Sequence, residues 1–180
     1  GLVPSPQWKE EFKGESWFLG NTYHFAIGQG DLALTPLQVN MITNVFANGG
    51  DLCMPRVVKE KEGEPMLEEK CSPLSLKKEN LDLVVEGMRQ ACSPALSADG
   101  TGGTGYPFFD FKVRGGKNKV ACKTGTAEVG EESTHAWFTA FAPIDNPEIS
   151  VTVFLEEGGE GSQEAAPIAR AILEEYFGED

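Results

Sequence analysis

Two hydrophobic periods divide the chain, and the changes from one to the other mark its elements. Leu37, Met41, Ile42, Val45 and Phe46 recur at helical spacing, which predicts a buried helix face. The start signal is complete, with Thr35 as N-cap, Pro36 at the first helical position and Gln38 closing a capping box. Asn48-Gly49-Gly50 is the stop. A second helix is predicted from a cap at Ser75 to about Cys92, with Leu81, Val84, Val85 and Met88 inward. A third runs from Ala165 to Phe177 and turns Ile168, Ile172, Leu173 and Tyr176 toward a core.

Between the second and third helices the pattern shortens to β-branched and small apolar runs. Val120–Val129, Ala136–Ala142 and Ile149–Leu155 predict three antiparallel strands, the last two joined by a Pro143-Ile144-Asp145-Asn146-Pro147 turn. Leu52–Lys59 reads as another strand, and Glu60–Glu69 as a charged, solvated hairpin. The class that follows is α+β, an antiparallel β-sheet with helices packed on it.

Other stretches carry no period. Pro4, Pro6, Gly14, Gly20, Gly28 and Gly30 punctuate residues 1–34, which are predicted to be mostly irregular. Trp8, Phe12, Trp17, Phe18, Tyr23 and Phe25 make that segment too aromatic for a free tail, so it should pack against something. Ser93–Gly105 reads as a Gly- and Ser-rich loop. The aromatic run Tyr106–Phe111 follows it and leads to a Gly115-Gly116 turn. Glu156–Ser162 is a further Gly-rich turn.

Composition narrows the classes. At 180 residues and 40% hydrophobic, the chain has material for one domain with a core. The net charge of −13 argues against nucleic acid as a partner and against an anionic membrane surface. No apolar run reaches the roughly 20 residues that span a bilayer, and no signal peptide is visible. Because the first residue is Gly, the chain is expected to be a processed product or a cut piece. Cys53, Cys71, Cys92 and Cys122 show no Cys-x-x-Cys spacing, so a metal site is not expected. They are read as reduced core residues; in an exported chain one pair could be bridged, and the sequence does not say which.

The chemistry concentrates in Val120-Ala121-Cys122-Lys123-Thr124-Gly125-Thr126-Ala127-Glu128-Val129. Lys123 supplies a cation, Thr124 and Thr126 supply hydroxyls and backbone donors, and Gly125 bares the backbone where another chain could lie. A strand of this kind suits an extended peptide that ends in a carboxylate. Competing motifs are weaker. Gly100-Thr101-Gly102-Gly103-Thr104-Gly105 matches G-x-G-x-x-G but follows a helix and precedes Tyr106-Pro107, so it is read as a loop. Ser75-Leu76-Lys77-Lys78 matches Ser-x-x-Lys and is read as a helix cap. His24 and His135 are read as structural, and Glu128, Glu131 and Glu132 as a solvated turn. Trp137 and Phe138 are read as core, and Gln29 with the Thr35 helix as scaffold.

Lys-Thr-Gly is also the third signature of serine penicillin-recognising enzymes. Around it, in order, stand Gly28-Gln29-Gly30, Thr35-Pro36-Leu37-Gln38, Lys123–Glu128, His135–Pro143 and Ala165–Arg170. This series resembles the C-terminal part of the transpeptidase domain of class B penicillin-binding proteins, of the penicillin-binding protein 2 type, over nearly all of residues 1–180. The resemblance implies a penicillin-binding/serine transpeptidase fold, of which this chain would be the C-terminal portion. It implies acyl transfer on peptidoglycan stem peptides ending in D-Ala-D-Ala, with β-lactams acylating the same serine. Lys123 and Thr124 would face the terminal carboxylate, Gly125 would admit the peptide backbone, and the Thr126 N–H would face the developing oxyanion. No cofactor or metal is implied. The nucleophilic Ser-x-x-Lys and the middle Ser-x-Asn triplet of the family are missing from residues 1–180. They are expected in an upstream half of the same domain, with a membrane anchor further upstream and catalysis at the outer face of the cytoplasmic membrane. The alternatives are a non-catalytic module of the same fold, or a D,D-carboxypeptidase or β-lactamase relative.

Overall fold

The computed structural model describes residues 1–58, 60–61, 64–65, 70–94, 102–113, 119–130 and 133–178. Its centre is an antiparallel sheet of β5 (Ala121–Val129), β6 (Ser133–Ala142) and β7 (Ile149–Leu155), in that spatial order. The register sets Cys122 opposite Ala140, Gly125 opposite Trp137, and Ala140 opposite Val151. Because side chains alternate across a strand, this register sends Cys122, Ala136, Phe138, Ala140, Val151 and Val153 to one face. They join one buried cluster with Phe108, Phe111 and helix α5 (Ala166–Phe177).

That face is closed by small residues. Ala136, Ala140 and Ala142 of the sheet meet Ala165, Ala166, Ala169 and Leu173 of the C-terminal segment, all fully buried. The small side chains let helix and sheet approach closely, so α5 buries Ala169, Leu173 and Phe177 and leaves Ile168, Ile172 and Tyr176 largely exposed. Of the four inward positions expected on this helix, only Leu173 is buried. The gap between α5 and β5 is filled by the 3₁₀ turn Tyr106–Phe108, whose Phe108 ring stacks on Phe138 at 5.1 Å. Arg170 fastens that turn: it donates to the Pro107 carbonyl, to Asp110 Oδ1 at 2.5 Å and to Glu174 Oε1 at 2.6 Å. The hydrogen bond from this guanidinium holds the Asp110 carboxyl below its ordinary pKa.

The opposite face carries α3 (Pro36–Ala47) and α4 (Lys78–Ala91). Helix α3 begins as expected, with Thr35 and Gln38 forming the capping box and Pro36 in the first turn. Its buried side is only partly the expected apolar one, with Val45 buried as expected and Phe46 packed on a core cluster. Thr43 is 2% exposed, whereas Leu37 and Ile42 face outward. The sheet explains the difference, because here it presents Thr139, Ser150 and Thr152. Thr43 Oγ1 lies 2.7 Å from Thr139 Oγ1, which lies 2.8 Å from Thr152 Oγ1, and Asn40 bonds both Thr152 and Ser150. Buried hydroxyls need partners, so α3 turns its polar residues inward. Further along, Met88, Ala121 and Phe141 form a second apolar cluster with Phe46 and Val85.

Several local expectations change. Residues 1–34 contain two helices, α1 (Pro6–Lys13) and α2 (Leu19–Ala26), where irregular chain was expected. Two of the residues read as breakers, Pro6 and Gly14, are helix ends: Ser5 Oγ accepts from Trp8 N, Pro6 opens α1, and Gly14 closes it at φ 66°. Lys9, almost buried, joins the two helices through Asn21 Oδ1 at 3.1 Å and Glu15 at 3.1 Å. Strand β1 is only Asp51–Cys53, followed by one more bond, from Met54 N to the Lys70 carbonyl, before the fixed φ of Pro55 ends the extended run; it pairs with β4 (Cys71–Pro73). Within the expected hairpin, β2 (Glu60–Lys61) pairs with β3 (Glu64–Pro65), and the rest of that span lies outside the described residues. So do Lys59, residues 95–101, the Gly115-Gly116 turn, Glu131 and Glu132.

Ser75 does not cap α4. It sits inside a tight turn in which Leu76 N donates to Leu74 O at 2.7 Å, and the helix starts at Lys78. The cysteines are not reduced: Cys53–Cys71 ties β1 to β4, and Cys92–Cys122 ties the end of α4 to β5. No helix among the described residues is long and apolar enough to cross a membrane.

The aromatic opening segment remains uncovered, with Phe12 74%, Phe18 67% and Ile27 73% exposed. The isolated chain should therefore bind a hydrophobic dye or self-associate in dilute solution. A cooperative high-temperature melt as a dye-silent monomer contradicts this. Within the core, Phe108→Ala should cost about 3–5 kcal/mol by removing a fully buried ring, read by denaturant unfolding against Tyr106→Ala, which is expected to stay within about 0.5 kcal/mol.

Candidate functional site

Strand β5 is paired on one side only. Gly159 N donates to the Thr134 carbonyl from beyond the β7 side, which sets the parity of β6: its even residues point their main chain toward β7 and its odd residues toward β5. Trp137 therefore exchanges hydrogen bonds with Gly125, and the main chains of Thr124, Thr126 and Glu128 point outward. Among the described residues no strand covers that edge. The Lys123 strand is therefore an edge strand of this sheet.

A cleft of about 600 Å³ opens along this edge, between Lys123–Val129 and the segment 27–34 that leads into α3. The segment is held in place at Ala33, which exchanges backbone hydrogen bonds with Leu2 at 2.6 and 3.0 Å. Gly28 and Gly30 both take φ 76°, a left-handed conformation that suits glycine, and the residue between them projects across the cleft. That residue is Gln29, whose Nε2 donates to the Thr126 carbonyl at 3.0 Å. Read from sequence, Gln29 was scaffold without assigned chemistry; the flanking glycines are the signal that a turn aims it. It satisfies the outward carbonyl of Thr126 and leaves the outward N–H as the open donor.

The other residues of the motif are also in place. Lys123 is exposed and lines the cleft; its Nζ reaches the Thr124 carbonyl at 2.5 Å, and no carboxylate among the described residues pairs with it. In a chain of net charge −13, an unneutralised cation in a cleft is a distinct electrostatic feature. Thr124 Oγ1 lies 2.7 Å from Thr104 Oγ1. Thr126 Oγ1 accepts from Gly161 N at 3.5 Å.

Gly125 is crowded from both faces. A Cβ there would stand 3.1 Å from the Trp137 Cβ. On the other side the π-turn Gly161–Ala165, which precedes α5, rests on the ladder: a Cβ on Gly161 would come within 2.1 Å of the Trp137 carbonyl and 2.4 Å of the Gly125 carbonyl. The backbone that lies against Gly125 here is the chain's own.

His135, which also lines the cleft, is held in place: its Nδ1 accepts from Glu157 N at 2.9 Å and its ring stands edge-on to Phe154. Phe138 is core and borders the cleft, whereas Trp137 is half-buried and lines it, its ring 4.4 Å from that of Phe154. Among the described residues no cluster of His, Cys, Asp or Glu could hold a metal. No serine or cysteine lines the cleft among those residues.

Gly161→Ala tests the support under the motif. The added methyl should push the turn off the Gly125–Trp137 pair at a cost of about 1–3 kcal/mol. The expected readout is faster amide exchange at Gly125.

The comparisons with known proteins agree with this geometry. The penicillin binding protein transpeptidase domain family matches residues 5–174. Peptidoglycan D,D-transpeptidase MrdA of Haemophilus influenzae is 34% identical over 193 residues, which take in 97% of this chain and 28% of that protein. PBP2 of Pseudomonas aeruginosa, solved in complex with WCK 5153, superposes with a TM-score of 0.82 at 32% identity, over 100% of this chain and 39% of that one. PBP2 of Helicobacter pylori, solved in complex with MreC, gives 0.73 at 34% identity, over 98% of this chain and 31% of that one. The chain thus spans well under half the length of these relatives. With a family match across nearly its whole length and the same fold as solved members, this chain belongs to the penicillin-binding protein transpeptidase domain family.

Proposed function

We propose that this chain is the C-terminal part of one transpeptidase domain of a peptidoglycan D,D-transpeptidase, and that β5 is the wall on which its peptide substrate binds. The observation that carries the reading is the open edge of β5, with an outward Thr126 N–H in one cleft with Lys123, which pairs with no carboxylate among the described residues. A stem peptide ending in D-Ala-D-Ala would add to that edge as an extra strand. Lys123 and the Thr124 hydroxyl hold its terminal carboxylate, where a hydrogen bond to a charged group contributes about 1.5–3 kcal/mol. Gly125 keeps side-chain bulk away from the incoming backbone. The Thr126 N–H donates to the oxyanion, a contribution typically worth about a hundred- to a thousandfold in rate.

The covalent step needs a serine oxygen to attack the penultimate D-alanine carbonyl. The C–O bond forms, the C–N bond breaks, and the departing D-alanine amine takes the proton. The acyl group then passes to the amine of a neighbouring stem peptide: a new C–N bond forms, the ester C–O bond breaks, and the serine oxygen takes a proton back from the attacking amine. A serine is a weak nucleophile until a base takes its proton, and no serine lines this cleft among the described residues. The nucleophile and its base therefore belong to the remaining half of the domain, which is also the proposed cover for the exposed aromatics of α1 and α2. The substrate places the reaction in the cell envelope, at the outer face of the cytoplasmic membrane, and β-lactams would acylate the same serine. The serine-free cleft also favours a second reading, a non-catalytic module of the same fold.

Mass spectrometry after incubation with benzylpenicillin separates the two. The isolated chain should form no adduct, and the full-length protein should form one, on a serine outside residues 1–180. Lys123→Ala in the full-length protein should slow acylation by about ten- to a hundredfold. No adduct on the full-length protein supports the non-catalytic module. A stoichiometric adduct on the isolated chain overturns the division of labour.

A further inference from the structure

The loop 102–105, left as a Gly-rich decoy by sequence reading, lies against the motif strand. Its two inner glycines are forced by contact. A Cβ on Gly103 would meet the Ala91 carbonyl at 2.2 Å and the Gln90 carbonyl at 2.4 Å. On Gly105 it would meet Cys122 Sγ at 2.6 Å and Cys92 Sγ at 2.9 Å. The same loop donates Gly103 N to the Ser93 carbonyl at 3.2 Å and Gly105 N to the Ala91 carbonyl at 2.8 Å. It thus caps the C-terminal end of α4, where helix carbonyls lack intrahelical partners. The Cys92–Cys122 bridge lies beneath it, one residue before Lys123. The loop therefore has little freedom, and the residue between the two glycines is presented on a fixed mount.

That residue is Thr104, exposed beside the open edge of β5, with its hydroxyl 2.7 Å from that of Thr124. Each hydroxyl carries one hydrogen and can accept two. Whichever oxygen donates, one hydrogen is spent inside the pair and the other remains for a ligand. The donated bond also polarises the remaining O–H, making it a better donor to an anion. Without a partner, the Thr124 hydroxyl would turn freely among its staggered positions, and no single one would be set for the ligand.

We propose that Thr104 is a further specificity-determining residue of the site, forming with Thr124 a hydroxyl pair that recognises the carboxylate of the bound peptide or β-lactam. This rests on the reading of β5 as the substrate wall and adds a loop residue to it. The ligand class is an extended acyl-donor peptide, or its β-lactam mimic, with a free carboxylate.

The test uses the full-length protein and two probes, benzylpenicillin and its methyl ester, with second-order acylation rates measured for both. Thr104→Val keeps the side-chain shape and removes the hydroxyl. It should slow acylation by benzylpenicillin about three- to tenfold, the span of one ordinary hydrogen bond, while leaving the methyl ester nearly unchanged. Thr104→Ser, which restores the hydroxyl, should recover the preference for the free acid. Equal slowing of both probes would make Thr104 a structural prop and overturn the proposal, as would no slowing of either. A wild-type protein that prefers the ester, or is not acylated at all, would instead overturn the reading of β5 as a carboxylate site.

Discussion

An unpaired strand edge invites whatever extended chain comes near it, so a fold that keeps one open must guard it. In this chain the ladder behind the open edge of β5 is held from both faces. Gly161 rests on the carbonyls of Gly125 and Trp137 from one face, and the Trp137 side chain crowds Gly125 from the other. Gln29 takes the single outward carbonyl of Thr126 and no more of the edge. These contacts immobilise the ladder between Gly125 and Trp137 without adding a strand beyond it. The site's geometry depends on that balance.

The two faces of the sheet are held by different physics. Toward α5 the contact is dry and close, built from alanines with Phe108 and Phe138 filling the remaining width. Toward α3 it is a row of hydroxyls and an amide, with Thr43, Thr139, Thr152 and Asn40 satisfying one another. Dispersion and burial secure the first face, and directional bonds fix the register of the second. The Cys92–Cys122 bridge then anchors the start of β5 to α4, so the strand is fixed at its buried end and exposed only where the motif begins.

What the sequence made legible was local or periodic. The Thr35–Gln38 capping box, the three strands and the Lys123 motif all depend on residues near one another in the chain. What it hid depends on distant partners. Gln29 meets Thr126 across 97 positions, and Thr43 meets Thr139 across 96, so neither role can be seen from its neighbours. The cysteine pairs were hidden for the same reason. Helices α1 and α2 were missed for a different one: Pro6 and Gly14 serve equally as breakers and as caps, and only the Ser5 and Asn21 side-chain bonds decide between them.

The central claim is that the Thr126 N–H stands free at the edge and becomes a hydrogen-bond donor when an acyl group arrives. Residue-resolved amide exchange in the full-length protein, with and without covalently bound penicillin, addresses it directly. The account predicts that the Thr126 amide exchanges much faster than that of Gly125 in the free protein and becomes protected in the acylated one. Equal protection of the two amides before acylation, or no change at Thr126 after it, would contradict the account.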